Sequence, residues 1–144
     1  MQLAEGPLPN PEWERDAEGR LALIIALDQF PRNMYRGDRR AFLWDDLALA
    51  AAERMVEAGH DTHLSEPRRA FVYMPFMHAE DLEAQNRCVK LTDGLGDGST
   101  HKHAKAHRKV IRKFGRFPHR NAVLGRDTTP EERAFLDDGG YAPG

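Results

Sequence analysis

The chain has 144 residues, a formal net charge of −2 and a single cysteine, Cys88. That length sets one domain as the expectation; the lone thiol excludes an intrachain disulfide and suits a reducing, cytoplasmic compartment; the near-neutral charge advertises neither nucleic acid nor a membrane as partner. The longest strongly apolar run, Leu21 to Leu27, is far short of the ~20 residues of a membrane-spanning helix.

Residues 1–15 are rich in proline and polar groups. They show no basic region followed by an apolar core, and are read as an extended lead-in without a secretory signal. From Asp16 to Phe30 the pattern predicts a helix apolar almost all round. Pro31 is expected to end it, because the residue before proline avoids the helical region. Asp38 is the expected N-cap of a second helix, residues 39–58, which Gly59 stops. Ser65 and Pro67 open a third, which Pro75 should kink or end. A fourth covers about 79–95 and runs into the loop "DGLGDGST". A fifth spans Thr100 to Phe114. Thr129, Pro130 and Glu132 form a capping box with proline in the first turn, so a last helix starts there. No segment shows the alternation of a strand, and the expected class is all-α.

On the fifth helix, Lys105, Arg108, Lys109, Arg112, Lys113 and Arg116 follow three- and four-residue steps and form one basic face. It lacks the interleaved aromatics of a stacking surface, so a solvated face is expected rather than a nucleic-acid site. Ala104, Val110, Ile111 and Phe114 form the opposite face, with His107 in its middle. His103 and His107 have the i, i+4 spacing that can hold a metal, but there is no HExxH and no third ligand set by spacing, so neither metal nor cofactor is expected. Nucleophile-elbow and phosphate-loop patterns are also absent from the chain.

Asp28 and Gln29 follow Ile24 and Ile25 in a helix that reads as buried, and a buried carboxylate needs a cation or donors. His78 and Gln85 share a helical face if the fourth helix begins early enough. Successive helices joined by short connections alternate in direction, which brings the C-terminal ends of the first, third and fifth to one end of the molecule. Those ends read "DQFPRN", "YMPFMHAE" and "GRFPHRN". Phe30 and Phe117 would plug the core beneath, and Arg32 and Arg120 would satisfy free carbonyls at the helix ends.

"LALIIALDQFPRNMYRG", "FVYMPFMHAEDLEAQ" and "HRKVIRKFGRFPHRNAVLGR" resemble the uncharacterised, mainly bacterial family known as domain of unknown function 924, over most of Leu21 to Leu136. The resemblance implies antiparallel helix pairs in a tetratricopeptide-like curved array and no established activity. Its motifs map onto Asp28, Gln29, Phe30, Pro31, Arg32 and Asn33, onto His78, Glu80 and Gln85, and onto His107, Gly115, Arg116, Phe117, Pro118, His119, Arg120 and Asn121. Ala79 stands where the family usually has serine, and an aromatic-rich N-terminal segment usual in the family is expected to be missing here.

Two functions compete at this level. One is a small-molecule site, with or without catalysis. Arg32, Arg116 and Arg120 would bind a carboxylate or phosphate, Asp28 and His107 would be the acid–base pair, and Gln29, Asn33, His78, Glu80, Gln85, His119 and Asn121 would complete the site. The other is a peptide-binding module whose polar clusters only fix helix ends. Dense charge at one end favours the first.

Overall fold

The computed structural model describes residues 15–140. The lead-in expected for residues 1–15 lies, apart from Arg15, outside the described residues. Seven α-helices follow in order: α1 (Ala17–Met34), α2 (Asp45–Glu57), α3 (Glu66–His78), α4 (Leu82–Thr92), α5 (Ser99–Phe114), α6 (Asn121–Leu124) and α7 (Pro130–Asp137). Short 3₁₀ turns occupy Arg39–Phe42, His60–His63 and Pro118–Arg120, and there is no strand among the described residues. The all-α class holds.

Several helix ends follow directly from local chemistry. The Asp16 side chain accepts from the Gly19 N–H and starts α1, and Asp81 does the same for α4 through Ala84 N–H. Thr129 and Glu132 complete their capping box at the start of α7. Gly115 ends α5 at φ 74°, a left-handed conformation that glycine adopts without a Cβ penalty.

Two expectations need correcting, and the alternative left open at Pro75 narrows. Pro31 does not end α1, which runs on to Met34. Proline removes a single N–H, and the turn still closes because the Tyr35 N–H donates to the Pro31 carbonyl at 2.9 Å. Pro75 likewise lies inside α3, which continues to His78. Asp38 does not cap α2: it caps the 3₁₀ turn through Arg40 N–H, and α2 starts seven residues later with Asp45 and Asp46 in its first turn, where the helix dipole favours carboxylates.

Each of α1 to α5 packs on its sequence neighbours, and α1 also touches α3, as α3 touches α5. The main core lies among them, built on Leu23, Ile24, Leu27, Ala52, Met55, Val72, Phe76 and Cys88. Ala48, Ala51 and Ala52 bring α2 close to its neighbours. A second, smaller cluster of Val110, Ile111 and Phe117 is flanked by Phe114 and Phe135. Helix α5 serves both, since Ala104 belongs to the first. Its basic face is largely exposed; Arg108 and Arg116 are half-buried.

Candidate functional site

The C-terminal ends of α1 and α3 and the segment after α5 meet. Asp28, 1% exposed, is the centre of the junction. Its Oδ1 accepts from His78 Nδ1 at 2.8 Å and from Arg32 Nη1 at 3.2 Å, and its Oδ2 accepts from Gln29 Nε2 at 2.6 Å. Burial pushes the Asp28 carboxyl up, but the charge and hydrogen bond of His78, the charge of Arg32 and the Gln29 donor together bring it below the usual carboxylate range. An ionised carboxylate only accepts, so the proton of the contact sits on His78 Nδ1.

Arg32 continues the chain of charge. It forks onto Asp45 at the head of α2, with Nη1 to Oδ1 at 2.8 Å and Nη2 to Oδ2 at 3.0 Å. It also donates to the Asp28 carbonyl at 3.1 Å. Arg120 lies across from it, packed between the rings of Phe42 and Phe117 at 4.5 and 4.7 Å. Its Nη2 donates to the His78 carbonyl at 2.9 Å, and its Nη1 is 3.9 Å from Asp45. Burial, and then the charge of Arg32, lower the Arg120 guanidinium to about 10. Arg120 thus caps a carbonyl at the end of α3, as expected, whereas Arg32 lies inside α1, which runs on to Met34, and donates to a carbonyl of its own helix.

Above this network opens a cleft of about 520 Å³. Gln29, Arg32, Asn33 and Arg36 line one side, Ala41 and Phe42 another, Met74 and His78 the base of α3, and His119, Arg120 and Val123 the far wall. Three of the lining residues, Arg32, Arg36 and Arg120, are arginines, and among the described residues no carboxylate lines the cleft itself. His119 is lowered to about 4 by burial and by Arg120, so it is neutral at pH 7.

A second network lies behind the far wall. Glu80 accepts the Phe117 N–H at 2.6 Å and holds Arg126 at 2.8 and 3.0 Å. Arg126 donates to Asn121, which reaches Glu132, and Glu132 takes a forked pair from Arg116 at 2.9 and 2.8 Å. The hydrogen bonds and charge of Arg116 hold Glu132 down at about 2 despite its burial.

The match to the family model of a bacterial protein of unknown function (DUF924) extends over residues 2–140. The chain belongs to DUF924. It is also similar to a solved structure of a protein of unknown function from Agrobacterium tumefaciens, at 48% identity and a TM-score of 0.85, over 89% of this chain and 72% of that one. No curated protein matches.

The DUF924 motif residues do not all share one site. Gln29, Arg32, Asn33, His78, His119 and Arg120 line the cleft, over Asp28. Glu80, Arg116 and Asn121 face the second network instead. Gln85 is buried in the core, where its Nε2 donates to the carbonyls of Phe76, Met77 and Ala79 and seals the end of α3. It does not share a face with His78, because α4 starts only at Leu82. His107 is not the partner of Asp28. Its Nδ1 lies 2.7 Å from the His103 carbonyl, its ring meets Phe117 edge-on, and burial lowers it to about 4. Phe30 is no core plug, being 44% exposed, whereas Phe117 is fully buried. Ala79, in the serine position, caps α3 and lends its carbonyl to Gln85.

Sequence reasoning missed Asp45, Arg36, Phe42 and Arg126. Among the described residues no group of three or more His, Cys, Asp or Glu side chains is placed to hold a metal, and no helix is long and apolar enough to cross a membrane.

Proposed function

We propose that the cleft binds a small anionic molecule, a carboxylate or a phosphate ester, with Arg120 and Arg36 as its cationic contacts. The observation that carries this reading is Arg120. It is a buried cation on the cleft wall; among the described residues its Nη2 donates to a carbonyl alone and its Nη1 makes no hydrogen bond. Arg32 is less available, because Asp45 already fills its fork. Phe42, Met74 and Val123 offer apolar carbon beside the charge, the usual composition of a small-molecule site. The contacts of α1 with α3 and of α3 with α5 support a tetratricopeptide-like array whose site lies at one end, instead of a peptide groove along it.

A thermal-shift panel of small carboxylates and phosphate esters tests the reading. A true ligand at a hundred times its Kd should stabilise by about 2.7 kcal/mol. Arg36→Gln should leave the unliganded melt unchanged, since Arg36 is exposed and its one hydrogen bond among the described residues is a 3.5 Å contact to Asn33, and should reduce the ligand shift. Shifts that are equal in wild type and variant place the anion elsewhere.

A further inference from the structure

His78 has two ring nitrogens in different settings. Nδ1 is committed to Asp28 at 2.8 Å, under the cleft floor. Nε2 makes no hydrogen bond with any described residue and is not shut away from solvent, which it reaches where His78 lines the cleft. The buried carboxylate holds a proton on Nδ1, so in the neutral form of the ring the lone pair is on Nε2, facing the cleft. Asp28 is itself braced by Arg32 and Gln29, so the ring cannot swing without breaking a buried network. The guanidinium of Arg120 is tied to the carbonyl of this same histidine. A cation for an anion and a base for a proton therefore adjoin in the cleft, joined by that hydrogen bond.

We infer that His78 is the proton-transfer residue of the cleft, positioned by Asp28, and that the bound molecule is an anion carrying a removable proton on a hydroxyl or on the carbon beside its carboxylate. This rests on the anion-binding reading above. In the step, the Nε2 lone pair takes that proton, and the bonding pair stays on the ligand oxygen or carbon. The ring becomes imidazolium with Asp28 as its counter-charge, and the proton is later returned to the ligand or to water. Asp28 touches no ligand; it is a positioning residue.

The test is acylation of the intact protein by diethyl pyrocarbonate, followed residue by residue with peptide mass spectrometry. His78 should react faster than the exposed His103 although it is the more buried of the two. Asp28→Asn should slow His78 at least about tenfold, the scale on which orienting partners act, and leave His103 unchanged. Nitrogen NMR of the histidine rings in wild type gives a second readout that needs no variant: His78 should carry its proton on Nδ1. A proton on Nε2, or a His78 rate indifferent to Asp28→Asn, overturns the inference. Acetate and inorganic phosphate as protectants separate the two proposals. Protection with a slow His78 keeps the anion site and removes the dyad; a fast, Asp28-dependent His78 without protection keeps the dyad and removes the anion site.

Discussion

Replacing Asp28 by asparagine keeps the volume and removes the charge at the centre of the junction. Three side chains donate to this carboxylate, and it is 1% exposed. Stranding a buried charge typically costs about 3–5 kcal/mol. The lower end applies here, because Arg32 keeps its forked pair with Asp45. At about 3 °C per kcal/mol for a chain of this size, the melting temperature should fall by roughly 9 °C. Asp28 and Arg120 do not touch; they are linked through His78 and through the Arg32–Asp45 pair. Their coupling should therefore be indirect, about 1 kcal/mol in a cycle of Asp28→Asn with Arg120→Met, read from urea unfolding at pH 7. Additivity within about 0.3 kcal/mol would show that the two halves of the junction are energetically separate, and would refute the connected network. The same carboxyl predicts an acid limb. Its folded pKa lies below the unfolded value, so its contribution is complete above the unfolded pKa and disappears as pH falls through the folded one.

His107 has the same sign at higher pH: its folded value, about 4, lies below that of the unfolded imidazole, so stability should fall by roughly 3 kcal/mol between pH 6.5 and 4, and His107→Gln should flatten that limb of a pH–urea series. Gln85→Ala should cost about 2–3 kcal/mol by leaving carbonyls at the end of α3 without a donor, measured as a lower urea midpoint. Cys88 is fully buried and its thiol is pushed up to about 12, so a chromogenic disulfide reagent should leave it unmodified in native protein and react with it in urea.

What could be read from sequence was local or periodic. The capping box at Thr129 needs only four residues, and alternation of helix direction alone brought Asp28, His78 and Arg120 to one end. The pairing inside that end was not legible. In sequence Asp28 and His107 pair naturally, each an anomaly on an apolar face, yet α3 runs through Pro75 and delivers His78 to the carboxylate instead. Asp45 was hidden by Asp38, whose cap suggested a helix already under way. Arg126 lies in a loop with no period, and only the search for a counter-charge to Glu80 could have found it.

The two hydrophobic clusters share α5, and the cleft lies across their junction: Asp28, Arg32 and His78 stand on the larger, His119 and Arg120 beside the smaller. Glu80 is the latch between them, through the Phe117 amide and Arg126. A small cluster opens more readily than a large one. Excursions of residues 115–137 would dismantle one wall of the cleft while α1 to α4 stay folded. A ligand touching both walls would close that gap in protection, and slowed amide exchange at Phe117 would report its arrival from a distance.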